Sequence, residues 1–268
     1  MSTLRPSRIT FAAALVGLGV LGLVYGNSSE IWEPLPKSLP GRPGIVYLCS
    51  LITLASGIGL VLRPLTVLTC RVLLAFLMLW LVSLKLPALL HAPQVVVGWE
   101  SFAETAALAA GGWCLFAAHA GSWERRHLAF AVGERGIRVA RGLLIAALPM
   151  IGVSHFAYHD MAASLVPKWL GFPLGWTYLT GAASIAASAG MLFGVVPRLA
   201  VSLEAAMLWA FTLLVWVPHV VSGPNPQGSW SELFLSAAIA SGTWLVAGTY
   251  RGVPWLASGR AARSVTLE

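Results

Sequence analysis

Eight apolar runs, each about as long as a bilayer crossing, constrain this chain more than any other feature. They lie near residues 9–26, 44–62, 66–90, 102–120, 139–157, 175–196, 199–220 and 232–249, and Pro, Gly and charge clusters separate them. A hydrocarbon core about 30 Å thick takes roughly 20 apolar residues of helix to cross. Runs this long are not the short alternating strands of an outer-membrane barrel, and a lipid-embedded backbone must satisfy its own hydrogen bonds. Helices are the remaining solution. With 268 residues, 57% of them hydrophobic and 10% charged, eight crossings leave no room for a soluble domain and rule out a disordered chain. The expected fold class is all-α integral membrane.

The first run follows Arg5 and Arg8, as the apolar core of a signal peptide would, but it ends in Tyr25-Gly26-Asn27 without a small-x-small cleavage pattern. It reads as a retained first helix. Orientation follows from the basic residues. Arg5, Arg8, Arg63, Arg125, Arg126, Arg135, Arg138, Arg141, Arg198, Arg251, Arg260 and Arg263 fall on one side of an eight-span path, and Lys37, Arg42, Lys168 and Lys85 on the other. Twelve against four places both termini and the basic loop in the cytoplasm. Most of the net charge of +7 is thereby explained by topology and anionic lipid, without nucleic acid. The acidic residues Glu30, Glu33, Glu100, Asp160 and Glu232 collect on the outer side.

A spacing of 131 residues organises the chain further. It joins Pro36 to Pro167, Lys37 to Lys168, Tyr47 to Tyr178, Gly59 to Gly190 and Pro87 to Pro218. It also joins Pro93 to Pro224, Trp99 to Trp230, Gly111 to Gly242 and Trp113 to Trp244. Matches among Pro and Trp carry weight in so apolar a chain, and a fixed long period marks an internal repeat. The expectation is eight transmembrane helices as two parallel four-helix repeats: residues 1–120, a basic linker at 121–138, residues 139–250, and a cytoplasmic tail at 251–268. Four crossings return the chain to its starting side, so the repeats share one orientation, unlike an inverted-repeat transporter.

The second repeat carries a resemblance. Ser154-His155-Phe156-Ala157-Tyr158, Ala163 to Leu170 with its Pro167-Lys168-Trp169, Trp176-Thr177-Tyr178-Leu179-Thr180-Gly181 and Trp230-Ser231-Glu232-Leu233-Phe234 together resemble the DoxX-like family of small four-helix bacterial membrane proteins. The resemblance covers residues 139–249 and reaches 9–120 through the repeat. It implies a four-helix membrane bundle in the bacterial inner membrane, associated in part of the family with quinone-coupled redox chemistry. The first repeat departs from the pattern: Val24, Asn27 and Ser28 stand where the second has His155, Tyr158 and His159.

Two polar groupings stand out against the apolar background. His155, Tyr158 and His159 would share one face if the fifth helix continued through them. Asp160, His219, Trp230 and Glu232 fall at similar depth near the outer leaflet. One reading is a ligand site in which His and Tyr donate hydrogen bonds and carboxylates act as bases to a quinone headgroup or another lipophilic small molecule. The other is interfacial anchoring, where Trp and Tyr are common in any case. A metal held by two His and two carboxylates is the weaker option.

The second grouping is Arg71 with Glu204, each one to two turns inside the third helix of its repeat. Buried charges there call for a partner, and an Arg71–Glu204 ion pair between repeats is the direct solution. Arg71 snorkelling to phosphates with Glu204 neutral or wetted is the alternative, and a proton-relay Glu204 a third. Lys85, His91 and Glu100 read as interfacial. Cys49, Cys70 and Cys114 form no CxxC pair, so a dithiol redox centre is not expected. Phosphate-cradling loops and hydrolase motifs are also missing. The sequence therefore points to an integral membrane protein and names no reaction. The resemblance implies redox association with a quinone or lipophilic small molecule bound near the outer face; the alternative is a non-catalytic scaffold or accessory subunit, or a small-molecule transporter.

Overall fold

The computed structural model describes residues 5–26, 35–36, 38–222 and 226–259. Asn27, Ser28, Glu30, Glu33, Lys37, Pro224, Arg260 and Arg263, which enter the sequence argument, lie outside the described residues. In chain order the helices are α1 (Arg5–Tyr25), α2 (Arg42–Val61), α3 (Thr66–Trp80), α4 (Leu86–His91), α5 (Val96–His119), α6 (Ser122–His127), α7 (Gly133–Ala157), α8 (His159–Leu165), α9 (Pro173–Phe193), α10 (Pro197–Phe211), α11 (Val217–Ser222) and α12 (Pro226–Gly248). Among the described residues the extended structure is a single isolated bridge, Val195 to Ser258.

Among the described residues, seven helical stretches are long and apolar enough to cross a membrane, consistent with a multi-pass membrane protein. Helix α9 has 21 residues and is not one of the seven. Its Thr177, Thr180, Ser184, Ser188 and glycines lower its hydropathy. Several of those polar residues face neighbouring helices: Ser184 Oγ donates to Glu204 at 2.9 Å and Ser188 Oγ to the Ile145 carbonyl at 2.7 Å. That second bond has a backbone cause. Pro149 lies inside α7 and has no N–H, so the carbonyl four residues earlier, Ile145, loses its helical partner and Ser188 supplies one.

Proline also shapes the third helix of each half. α3 and α4 are joined by a π-helical turn at Leu81–Lys85, and α10 and α11 by another at Thr212–Trp216. The Leu86 N–H reaches the Leu81 carbonyl, and the Val217 N–H reaches Thr212. Pro87 and Pro218 come directly after, and a widened turn eases the clash their rings would make with the preceding turn. The bounds of these elements recur at the 131-residue spacing: Thr66–Trp80 with Pro197–Phe211, Leu81–Lys85 with Thr212–Trp216, and Leu86–His91 with Val217–Ser222.

The core lies along α5 and α12, which cross at Gly111 and Gly242. A Cβ on Gly111 would sit 2.6 Å from Gly242 Cα, so the two backbones touch. Around this crossing α5 packs on α3 and α7, and α12 on α10 and α1; α1 packs on α2, and α7 on α9. The first helix of each half therefore rests on the last helix of the other. Interhelical hydrogen bonds from small polar residues add to the close packing, as between Ser241 and Thr10 at 2.9 Å.

Charged residues organise the end of the bundle that carries the linker. Arg71 on α3 forms an ion pair with Glu124 of α6, so it does not take Glu204 as the sequence suggested; Glu204 has Ser184 as its partner. Glu124 also accepts the Gly121 N–H at 2.8 Å, tying the start of α6. Its carboxyl is held below its ordinary value, first by its own backbone N–H, then by Gly121 and the Arg71 guanidinium, against the opposing effect of burial. Arg141 donates from Nε to Thr249 Oγ1 at 2.9 Å and lies over the Tyr250 ring, while Arg198 donates to the Arg251 and Val253 carbonyls. Residues 251–259, expected as a tail, thus fold back on the helix ends, with Val253 and Ala257 buried. The expected linker is itself largely helical, since α6 occupies 122–127 and α7 begins at Gly133.

Candidate functional site

The end of the bundle away from the linker holds a cavity of about 800 Å³. That volume lies within the range of about 300–1,000 Å³ for small-molecule sites. Its wall is mainly apolar, with Leu208, Phe211, Val215, Leu235 and Ile239 from α10, the second π-helical turn and α12. Trp176, Thr177 and Thr180 come from α9, and Met161, Ala162 and Leu165 of α8 close it on one side. Polar side chains gather on the remaining walls: Glu100, Ser101 and Glu104 from α5, Ser154, His155 and Tyr158 from α7 and its end, Glu232 and Ser236 from α12, and Lys85 from the first π-helical turn.

These groups are held in place by short links. Ser154 Oγ donates to Glu100 Oε1 at 3.3 Å, joining α7 to α5. Lys85 is 2% exposed, and its Nζ donates to Ser101 Oγ at 2.6 Å. Glu104 lies one turn beyond Glu100 on the same helix face, within electrostatic reach of Glu100, Glu232 and Lys85. Its Oε2 is buried without a hydrogen-bond partner among the described residues. The Tyr158 hydroxyl accepts the Val97 N–H at 3.2 Å, and the His155 ring stacks on Phe211 with 6.0 Å between centroids. Thr212 and Ser236 hydroxyls meet at 2.8 Å, fixing the second π-helical turn against α12.

Of the seven residues singled out from sequence, His155, Tyr158 and Glu232 line the cavity. His159 and Asp160 do not. α7 ends at Ala157, Tyr158 has φ −113° and ψ 37°, and His159 starts a new helix, so the assumed continuous face does not form. His159 turns outward against Tyr178, with Asp160 3.5 Å away and 91% exposed. His219 lies beyond the second π-helical turn, bonded to the Val215 carbonyl at 2.8 Å and packed near Trp216. Trp230 stacks on Phe234 at a shallow groove against α1. No group of three or more His, Cys, Asp or Glu side chains among the described residues could hold a metal ion.

Three ionisable cavity residues escaped the sequence reading as site members. Lys85 and Glu100 were expected at the interface, and Glu104 was passed over. The available signal was a pair of carboxylates four apart, Glu100 and Glu104, in a helix otherwise rich in Ala and Gly.

A family model matches residues 144–242. Its description is a domain of unknown function (DUF8561). The matched segment runs from within α7 to within α12 and so includes most of the cavity wall, while Lys85, Glu100 and Glu104 lie before it. No curated protein and no solved structure matches the chain.

The 131-residue spacing supplies a comparison inside the chain. Val166, Thr177, Thr180 and Phe211 line the cavity, and the residues 131 positions earlier are Leu35, Val46, Cys49 and Trp80. These four form one buried hydrophobic cluster with Phe76. Larger or more apolar side chains fill in the first half what is open in the second.

Proposed function

We propose that this chain is a multi-pass membrane protein that binds a lipophilic small molecule in the cavity between α5, α7, α9, α10 and α12. A quinone associated with a membrane redox partner is the ligand suggested by the DoxX-like resemblance. In this reading the fold has eight spans, α9 included, arranged as two parallel four-helix repeats. Recurrence of element bounds at the 131-residue spacing supports that arrangement. The positive-inside asymmetry supports cytoplasmic termini in a bacterial inner membrane, with the cavity toward the outer face.

The observation that carries the proposal is the contrast between the halves. The same positions are packed shut in the first by Trp80, Val46, Cys49 and Leu35, and open onto a space of about 800 Å³ in the second. A mainly apolar concave space of this size, with a few polar groups converging on it, has the form of a small-molecule site.

Decylubiquinone titrated against the purified full-length protein tests this, because Trp176 and Trp216 line the cavity and quinones quench indole fluorescence. Saturable quenching is expected, with affinity falling at least about tenfold in Thr180→Phe, whose ring would project into the space; tenfold corresponds to about 1.4 kcal/mol. Unchanged affinity in a folded Thr180→Phe protein would refute a quinone site in this cavity.

A further inference from the structure

The charge pattern of the cavity narrows its ligand. Three carboxyl groups face it, Glu100 and Glu104 from α5 and Glu232 from α12, against one ammonium, Lys85. The other ionisable groups on its wall are His155 and Tyr158 at the end of α7; α9 and α10 contribute hydroxyl, aliphatic and aromatic side chains. One ammonium compensates one carboxylate. The other two face a largely apolar space in which an unpaired charge is costly, so they favour a proton or a positively charged ligand. The orphaned Glu104 Oε2 marks where such a partner is missing. Phe211, Trp176 and Trp216 supply aromatic rings around the same space, and ring faces attract cations.

We propose, on the reading that this cavity is a ligand site, that its ligand is a lipophilic cation: an organic amine or onium ion. Its charge lies among Glu100, Glu104 and Glu232, and its apolar body against Phe211, Trp176 and Trp216. The exchange balances in charge. Without ligand, one carboxylate balances the Lys85 ammonium and the other two carboxyls hold protons; one proton leaves to bulk water for each monovalent cation that enters. The site keeps the same net charge throughout, which suits a group buried at membrane depth. A neutral quinone would fill the apolar part of the space but displace no proton.

The experiment compares three probes on the purified full-length protein: tetraphenylphosphonium, tetraphenylborate of like size and opposite charge, and decylubiquinone. Tetraphenylphosphonium is expected to bind saturably, with affinity rising up to about tenfold per pH unit where the carboxyls titrate, as one-proton linkage requires. Glu104→Gln and Glu232→Gln should each weaken it at least about tenfold, and the double variant, left with one carboxylate for the Lys85 ammonium, should also lose the pH dependence, while tetraphenylborate does not bind. Cation binding that ignores pH and both substitutions, or equal binding of tetraphenylborate, overturns the proposal. If decylubiquinone binds and Thr180→Phe excludes it while the cation never binds, the cavity remains a ligand site and the cation assignment falls. If neither probe binds, both fall. Should a Gln variant fail to purify folded, the wild-type pH profile decides alone.

Discussion

Gly111→Ala is the sharpest test of how the two halves meet. A methyl carbon on Gly111 would lie 2.6 Å from Gly242 Cα and 3.3 Å from its carbonyl carbon and oxygen. Carbon atoms in contact sit about 3.5–4.0 Å apart, so α5 and α12 would have to separate by roughly 1 Å. The opposing atoms are backbone, and no rotamer change can relieve them. Overpacking of this kind costs about 1–3 kcal/mol, and replacing a helical Gly by Ala returns up to about 1 kcal/mol. Because backbone atoms oppose the methyl, the upper end of that cost applies, and about 3 less about 1 leaves an expected net loss of about 2 kcal/mol, or a fall in Tm of about 4–8 °C for a chain of this size.

Gly242→Ala should be milder, because its nearest new contact is the Ala107 carbonyl oxygen at 2.9 Å and Gly111 Cα is 3.8 Å away. Gly142, exposed on α7 with nothing within 4 Å of a Cβ, is the control, and Gly142→Ala should leave Tm unchanged or raise it. Cys49, Cys70 and Cys114 are buried, so the heating profile of a thiol-reactive dye reads unfolding directly. A Gly111→Ala protein as stable as the parent would refute the crossing, and a reversed order of Gly111 and Gly242 would place the contact elsewhere along the helices.

Two further predictions concern the frame around the site. Ser188→Ala removes the donor that serves the Ile145 carbonyl freed by Pro149, and should cost about 1 kcal/mol; in a Pro149→Ala background, where an N–H is restored, the same change should cost clearly less, as a double-mutant cycle in thermal unfolding would show. Glu124 is held below its ordinary value of 4.5, so its contribution to anchoring α6 is complete above that value and is lost as pH falls through the lower folded value. Amide exchange across residues 122–127 should accelerate beyond its intrinsic pH dependence in that acid range, and Glu124→Gln, already without the carboxylate, should show no such step.

The all-helical class was readable because long apolar runs, bounded by Pro and charge, have one solution in lipid. Helix bounds fell within a few residues of expectation except where first turns extended beyond the apolar runs, as at α5, which starts at Val96 instead of near 102 and so gathers Glu100 into the same helix as Glu104. The site was only partly readable. Placing His159 beside His155 assumed an unbroken helix, whereas the chain turns at Tyr158 without a proline or glycine to announce it. His219 was misplaced for a related reason. A π-helical turn holds one residue more than an α-turn and rotates the residues beyond it by about 100°, whereas sequence spacing assumes 3.6 residues throughout. Arg71 lacked its partner because the linker that brings Glu124 back over α3 reads as a solvated charge run. Lys85 and Glu100 looked peripheral while each half was considered alone; they belong to a space bounded mainly by the other half.

One detail of that space concerns how a paired architecture becomes single-sited. The first half has Trp99-Glu100-Ser101 where the second has Trp230-Ser231-Glu232, a transposition of two neighbouring residues. Position 232 lines the cavity and position 231 does not. A step of one residue turns a side chain by about 100° around the helix axis, so a second copy written in the order of the first would aim its carboxyl away. The swap instead brings an acid from each half to the same place. In the proposed two-repeat arrangement these are equivalent helices, and a two-letter exchange, with larger or more apolar residues closing the other chamber, makes them serve one asymmetric chamber.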